Sequence, residues 1–501
     1  MVKRNKKREL IKRTLVYVIM TTAVGVLVSI VLLAILGYRF NFSTGKVEQG
    51  GLVQFTSNPN GARIKVDKVT LSSSTPSKIT VYGGEHKVSL FKDGYRDWST
   101  NFSIRSGEIV WLNYARLVPK DLKSEKILSY DSVDSSLFSP NKKWLALIPK
   151  ASNKFVQLLN VDNETITSTK LNLDEKSYSK TKDGTDHEFK IAYWSGDSRF
   201  FLLKHYYTDN DDKRNLEWLR IDRQNDEEQY NLSKLLGLKI DRAFFTDNSS
   251  EFYVQNEAIV RRIDIKTRTI SRPIAENVDK FETFGDILYF VTKKDASNIR
   301  TVSYQRGDMK TQRVLLSDDS GKEMHAEFSY YFSKNYVAIS IGNIAKIYQV
   351  ENLPNSDASN SQVKLKQISE VDLGENIVDI ADFAEGRMFF TEGKESTGYY
   401  DIEKNIYKTH SFIENNLNVK DTVDWLDGRI YYGLVGSNLY IEDFNGENHQ
   451  NLADDAIKRT ISLVRDGRYI IYFAKDGDKI AVKRINMLVD NGQFRFLSRN
   501  Q

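Results

Sequence analysis

The sequence predicts a chain that is all-β outside one N-terminal transmembrane helix, with a small β-sandwich followed by a seven- or eight-bladed β-propeller. Three observations support this prediction: one long apolar run near the N-terminus, a set of short alternating strands after it, and eight copies of one strand pattern in the remainder. A length of 501 residues leaves room for several domains of about 100–200 residues each.

The composition excludes several classes of site. Apolar residues make up 40% of the chain and charged residues 28%, a balance typical of folded domains. Cysteine is absent, so the chain has no thiolate metal ligand, cysteine nucleophile or disulfide. The Lys and Arg residues among the first 13 account for the whole net charge of +5. Because a nucleic-acid-binding protein carries its basic surplus on the folded part, we expect no nucleic-acid partner.

The apolar run covers residues 14–38 and contains no charged side chain. It exceeds the roughly 20 residues that cross a bilayer, and it is longer than the apolar part of a signal peptide, which spans about 7–15 residues. Residues 34–37 (AILG) also form a poor cleavage site. A buried soluble helix would show a polar stripe, which this run lacks. We therefore expect an uncleaved signal anchor that spans the membrane once.

The basic residues precede this run and are expected to set its orientation. They are Lys3, Arg4, Lys6, Lys7, Arg8, Lys12 and Arg13. By the positive-inside rule the N-terminus is cytoplasmic and the remainder is extracytoplasmic, on a single-pass protein of the cell membrane. The expected divisions are a cytoplasmic tail at 1–13, the span at 14–38, a linker at 39–50, a β domain at 51–118 and a propeller-like domain at 120–495.

The β domain is predicted from strands with period-two alternation, such as ARIKVD and HKVSLF, that are separated by turn residues. Its motifs SNPxGAxIxVD, TP, GEHxV and GY, over residues 57–95, resemble those of the PEGA domain, a small surface-associated β-sandwich. VYGG at residues 81–84 stands where the family's tetrapeptide would lie. The resemblance implies adhesion or interaction at a microbial surface and no catalytic residue.

Nine residues carry this motif. They are Asn58, Pro59, Gly61, Ala62, Thr75, Pro76, Gly84, Gly94 and Tyr95. Glycine permits positive φ and proline fixes φ, so the simplest interpretation is that most of them form turns.

Eight segments after residue 120 repeat a polar turn followed by an apolar, aromatic-rich strand. They start at residues 139, 195, 246, 284, 333, 384, 426 and 465. Their spacing scatters around the roughly 40–50 residues of a four-stranded propeller blade. The first copy, SPNKKWLA at residues 139–146, resembles the repeat of periplasmic translocation-type and peptidase-associated propellers. We expect residues 123–131 and 478–488 to share the closing blade. A β-sandwich array and a solenoid are the alternatives to a propeller for this region.

Motifs for chemistry are missing from the sequence. The six histidines occur singly and without zinc-ligand spacing, and no Gly-x-Ser-x-Gly elbow or phosphate-binding loop is present. The acidic residues at 209–212 and 476–478 fit solvated turns, and most strand aromatics fit blade cores. We predict no catalytic, cofactor-binding or metal-binding residue, and no cofactor.

These observations favour a non-enzymatic, membrane-anchored cell-envelope protein whose exported domains bind a cell-surface polysaccharide or an envelope protein partner. The alternative is an envelope hydrolase or lyase with its site in the propeller channel. That alternative predicts at least two carboxylates, or a metal-binding trio, that converge near the ring axis. A signalling role is disfavoured because 13 residues cannot form a cytoplasmic domain.

Overall fold

The computed structural model describes residues 6–41, 45–181, 187–246, 248–306, 309–357, 362–383, 386–411 and 423–489. The chain divides into two compact units, one formed by Met1–Asp121 with Leu488–Gln501 and the other by Leu122–Met487. Lys3 and Arg4, which were expected to help set the orientation, lie outside the described residues.

The first unit begins with helix α1 (Lys6–Ile35), whose segment Leu10–Ile35 is long and apolar enough to cross a membrane. No other described helix meets this test. Three of its hydroxyl side chains bond within the helix: Thr14, Thr21 and Ser29 each donate to the carbonyl four residues earlier. These three hydroxyls are therefore satisfied without a partner from an apolar medium.

A short hairpin follows the helix, in the segment expected to be a linker. Strand β1 (Tyr38–Asn41) pairs antiparallel with β2 (Lys46–Gln49). The Gln49 side chain donates to the Leu36 carbonyl at 3.0 Å, which satisfies one of the acceptors that a helix C-terminus leaves open.

The rest of the first unit is a sandwich of two sheets. Its strands are β3 (Gly51–Asn58), β4 (Arg63–Val66), β5 (Val69–Ser74), β6 (Ser77–Val81), β7 (Gly84–Phe91), β8 (Trp98–Ile104) and β9 (Ile109–Arg116). One sheet has the order β6-β3-β9 with β3 and β9 parallel, and the other has the order β5-β4-β7-β8. Alternate residues such as Val53, Ile64 and Trp98 point into the shared core, so the period-two pattern is confirmed.

The second unit contains eight four-stranded antiparallel sheets, or blades, within the described residues. Their first strands are β11 (Ser135–Phe138), β15 (His187–Trp194), β19 (Arg242–Phe245), β23 (Val278–Phe284), β27 (Met324–Tyr331), β31 (Asp379–Phe383), β35 (Val423–Asp427) and β39 (Ser462–Val464). Their second strands are β12 (Trp144–Ile148), β16 (Phe200–Thr208), β20 (Glu251–Asn256), β24 (Ile287–Thr292), β28 (Lys334–Ile341), β32 (Met388–Glu392), β36 (Ile430–Val435) and β40 (Tyr469–Asp476).

The outer half of each blade is formed by its third and fourth strands. The third strands are β13 (Phe155–Asn160), β17 (Arg214–Asp222), β21 (Ile259–Asp264), β25 (Arg300–Arg306), β29 (Ile344–Asn352), β33 (Ser396–Asp401), β37 (Asn438–Asp443) and β41 (Lys479–Asn486). The fourth strands are β14 (Thr167–Asn172), β18 (Gln229–Asn231), β22 (Thr269–Ile270), β26 (Arg313–Asp318), β30 (Lys364–Asp372), β34 (Ile406–Ser411), β38 (Gln450–Ala453) and β10 (Ser124–Tyr130). A short helix, α2 (Leu232–Leu236), follows β18.

Blades 1 to 7 are consecutive in the chain, from β11–β14 to β35–β38, whereas blade 8 closes the ring. In blade 8 the order is β10-β41-β40-β39, and β10 pairs antiparallel with β41 from Ser124↔Ile485 to Tyr130↔Ile480. The two segments expected to share a blade contain these strands. The fold prediction is confirmed, and the described residues form eight blades.

The eight repeated sequence patterns fall at the start of the second strand of each blade. These strands supply most of the core; β24, for example, is buried at all six positions. First strands lie at the ring axis, because those of successive blades contact each other through rings such as Tyr193 with Phe244 at 4.5 Å and Phe284 with Phe328 at 5.7 Å. Fourth strands are largely exposed. The first strands therefore form the wall of the central channel.

Candidate functional site

Four carboxylates converge on the channel side of blades 4, 5 and 6. Glu282, Glu327, Asp379 and Asp382 come from the first strands β23, β27 and β31. The buried Tyr289 of β24 lies among them, and its hydroxyl is 2.8 Å from Glu327 Oε2 and 3.2 Å from Glu282 Oε2. One hydroxyl proton serves one acceptor at a time, so both contacts are satisfied together only when a carboxyl is protonated.

Burial raises the pKa of the Glu327 carboxyl to about 8, and the nearby negative charges of Glu282, Asp382 and Asp379 act in the same direction. The hydrogen bond from Tyr289 opposes this shift but is outweighed. Burial also raises the pKa of Glu282, Asp379 and Asp382, although these three side chains are open to the channel. The arrangement therefore favours the protonated form of a carboxyl in this cluster, and most strongly that of Glu327.

Blades 2 and 3 carry a basic, aromatic part of the ring. Lys204 of β16 lies over the Trp218 ring at 5.1 Å, and Tyr193 of β15 contacts Phe244 of β19. Burial lowers the pKa of Lys204, and the positive charges of Arg242 and Lys190 lower it further. The ring thus carries Lys204 on blade 2 and the four carboxylates on blades 4 to 6, and Lys280 of β23 adds a positive charge near Glu282 and Asp379.

A protonated carboxyl near ionised carboxylates is an arrangement that can donate and accept protons, as the hydrolase or lyase alternative requires. A metal site is not formed here: across the described ranges, no group of three His, Asp or Glu side chains could hold an ion. Sequence reasoning did not single out these carboxylates. They lie tens of residues apart, and only the register of the first strands brings them together.

A second polar cluster is buried inside blade 2. His187 Nδ1 lies 2.8 Å from His205 Nε2, and His205 Nδ1 lies 2.8 Å from Glu217 Oε1. Ser179 donates to the same carboxylate through its backbone N–H at 2.6 Å and its hydroxyl at 2.8 Å. Burial opposes ionisation of Glu217, but the hydrogen bonds from His205 and from the N–H and hydroxyl of Ser179 outweigh it and lower the pKa of Glu217 to about 2.

This network shows that two of the six histidines, which are isolated in the sequence, are neighbours in the fold. His187 and His205 lie on adjacent strands, on a diagonal of the β15–β16 ladder. Glu442 similarly lies near two histidines: its Oε2 is 3.1 Å from His449 Nδ1, and its Oε1 is 3.5 Å from His410 Nε2. Because Glu217, His205 and Glu442 are buried, these groups serve the packing of the blades.

The motif residues of the sandwich fall into two groups. In the first, Thr75 is 3% exposed and ties two loops together. Its hydroxyl accepts from the Ala62 N–H at 2.9 Å and lies 2.6 Å from the Ser57 hydroxyl, while its carbonyl accepts from the Gly61 N–H at 2.7 Å. Gly61 has a φ of +84°, which favours glycine. Asn58, Pro59 and Pro76 belong to the same loops, and both X-Pro bonds are cis.

The second group lies at the other end of the motif. Gly84 opens β7, and Gly94 has a φ of +84° with Val489 close to the position that a Cβ would occupy. Tyr95 is buried, and its hydroxyl accepts from the Val489 N–H at 2.7 Å. These contacts support packing roles for the motif and bring no chemical group to the surface.

The basic residues expected to set the orientation lie at the start of α1. Lys12 and Arg13 are exposed, while Lys6, Lys7 and Arg8 are helical by backbone and their side chains are outside the description. Lys3 and Arg4 precede the described residues.

Comparison with known proteins gives one family match and several structural matches. Residues 51–119 match the PEGA domain family. Solved structures that resemble the chain include a eukaryotic initiation factor (10% identity, TM-score 0.43, covering 69% of this chain and 82% of that one) and the Dos1 propeller (12%, 0.43, 73% and 94%). A structure from work on two prolyl endopeptidases aligns at 13% identity and a TM-score of 0.43, with 69% and 55% coverage. No curated protein matches the chain.

Proposed function

We propose that the chain is a non-enzymatic, membrane-anchored protein of the cell envelope whose exported PEGA domain and propeller bind a cell-wall polysaccharide or an envelope protein partner. The observation that supports this is the combination on one chain of a helix long enough to span a bilayer, a PEGA domain and an eight-bladed ring. The basic residues before the helix favour a cytoplasmic N-terminus, which would place both β domains outside the cell.

Propellers bind ligands at the faces of the ring with loops between strands, and single-pass anchoring keeps such a face near the cell surface. Lys204 on blade 2 and the carboxylates on blades 4 to 6 provide groups of both charges for polar recognition. These features support a binding role for the ring.

Cosedimentation of the full chain in detergent with protein-stripped cell wall tests the proposal, alongside capture on purified envelope proteins. Saturable wall binding that disappears when residues 51–119 are deleted would assign adhesion to the PEGA domain. Wall binding that survives the deletion would assign it to the propeller. No wall binding, with capture of a protein instead, would overturn the polysaccharide ligand, and failure of both would overturn the proposal.

A second candidate function, hydrolysis or elimination on an envelope polymer, is favoured by the Glu282–Tyr289–Glu327 contact. Glu327, with its pKa of about 8, would serve as the proton donor, and Glu282 as the base. Release of new reducing ends from wall polymer by the full chain, lost in Glu327→Gln, would support catalysis. No release at any pH from 5 to 9 would exclude it for that polymer.

A further inference from the structure

An aromatic hairpin tip projects from blade 5 where its first strand turns into its second. Strand β27 ends at Tyr331, which pairs with Lys334 of β28, so Phe332 and Ser333 form a two-residue loop. Phe332 is 86% exposed and Tyr330 is 55% exposed. Apart from residues of α1, Phe332 is the most exposed large apolar side chain in the described ranges.

The backbone of this tip is unfavourable for the residues that form it. Phe332 has a φ of +49° and Ser333 a φ of +62°. A bulky residue at positive φ is an outlier, because its Cβ approaches the neighbouring carbonyl. Four hairpin loops of the same length elsewhere in this propeller place glycine first, namely Gly285, Gly342, Gly436 and Gly477, whereas the loop between β20 and β21 has Glu257 there at a φ of +56°.

The base of the hairpin is held firmly against blade 6. The Ser329 hydroxyl donates to the Gly386 carbonyl at 2.7 Å, and a Cβ at Gly386 would overlap the Tyr330 carbonyl oxygen. Tyr331 lies near Glu403, which pairs with Arg387 at 2.9 Å. The tip is therefore presented on a fixed support with a polar surround.

We propose that Phe332 is the anchor by which the propeller docks an envelope protein that offers an apolar pocket. Strain that is retained at this exposed position points to a function, because the exposed Phe332 ring gains no packing that would offset the strain. A single convex aromatic residue with a polar surround has the form of an interface anchor. This inference rests on the binding function proposed above and selects the protein partner.

The geometry of the tip disfavours a sugar as its occupant. The rings of Tyr331 and Phe332 are 6.1 Å apart and inclined at 45°, so they do not form a flat platform for a sugar ring. Phe332 also has no group that could hydrogen-bond to a hydroxyl. A pocket lined by apolar side chains accommodates such a projection.

The test uses the absence of cysteine from this chain, since a single introduced cysteine can be labelled without background. Two variants of the full chain are compared: Phe332→Cys, and the control Asp286→Cys in the corresponding turn of blade 4. Each cysteine is labelled with a benzophenone while the chain is in the membrane of the cell that makes it, and the label is then activated by light. We expect one discrete protein adduct from position 332 and none from position 286. No adduct at 332, equal adducts at both positions, or an adduct with polysaccharide or lipid would overturn the proposal.

Binding of the purified adduct partner to the unlabelled full chain provides the second measurement. Phe332→Asn suits the turn, so we expect the propeller to melt about 1–3 °C higher while affinity for the partner falls at least about tenfold. Asp286→Asn should leave the affinity unchanged. Unchanged affinity in Phe332→Asn would overturn the anchor while the binding function stands, whereas a wild-type chain that binds neither wall nor protein would overturn the proposed function itself.

Discussion

Arg387, which precedes the second strand of blade 6, makes two hydrogen bonds to the carboxylate of Asp401 at the end of the third strand, Nε to Oδ1 at 3.1 Å and Nη2 to Oδ2 at 2.6 Å. Arg199 and Asp222 repeat this pairing at the same place in blade 2. In both blades the pair joins the turn before the second strand to the end of the third strand. The carboxylates are buried, so each depends on its arginine.

We expect Arg387→Ala to destabilise blade 6 by about 3 kcal/mol, because it leaves the Asp401 carboxylate buried with only backbone donors. Hydrogen exchange of strands β32 and β33 measures the loss. Removal of the exposed Arg63, which pairs with Asp93 in the first unit, serves as the control and should cost less than about 1 kcal/mol. Similar losses for the two variants would contradict the role given to burial.

Thr75→Val should lower the stability of the PEGA domain by about 1–3 kcal/mol. The substitution keeps the shape of the side chain but removes the hydroxyl that accepts from the Ala62 N–H and pairs with Ser57, which leaves the buried Ala62 N–H unpaired. Thermal unfolding of the full chain, followed by hydrogen exchange over residues 51–119, measures the effect. Thr75→Ser keeps the hydroxyl and should recover most of the stability; if it does not, packing of the methyl group is the cause.

A chain that ends at Met487 should show faster proteolysis within residues 51–119 than a chain that ends at Val489. Val489 packs against the core of the sandwich, and its N–H donates to the buried Tyr95 hydroxyl. Loss of this apolar contact and hydrogen bond should cost about 1–3 kcal/mol. Equal cleavage rates would show that the sandwich does not depend on this segment.

The fold was predictable because the repeated strand is a local pattern. Turns such as those before Trp144 and Ile470 directly precede buried second strands, and eight copies of them imply an array. The blade number stayed open between seven and eight because the spacing of the copies varies with the outer strands. It is settled by the pairing of Ser124 with Ile485, which joins opposite ends of the unit.

The polar clusters could not be predicted in the same way. Glu282 and Glu327 meet at Tyr289, and His187 meets His205, through strand register between or within blades, which leaves no local motif. Phe332 does lie in a local pattern, but its segment YYFSKN predicts only an ordinary strand with a turn. Only its φ and its exposure distinguish it from the core aromatics.

Ionisation of the Glu327 carboxyl should lower the stability of the propeller as pH rises. Its folded pKa of about 8 lies above its usual value, so its stabilising contribution is fully present below about pH 4.5 and is lost as the pH approaches 8. Glu327→Gln should therefore equal the wild type near pH 4 and exceed it by about 2 kcal/mol at pH 8.5, after allowance for partial exposure. Urea unfolding across this range is the measurement, and parallel curves would contradict the raised pKa.

Glu217 should have the opposite effect on the pH dependence of stability. Its folded pKa of about 2 lies below the ordinary value of 4.5, so its contribution is present above about pH 4.5 and is lost as the pH falls toward 2. Glu217→Gln should cost about 3 kcal/mol at pH 7, because the amide cannot accept from both Ser179 and His205 as the carboxylate does. The cost should shrink toward pH 2, where both forms are uncharged.

Hydrogen exchange of strands β15 to β17 at pH 7 and at low pH measures this cost. The exposed Glu175→Gln is the control, with little change expected at either pH. A cost that stays constant with pH would mean that Glu217 acts through its shape and not through its charge.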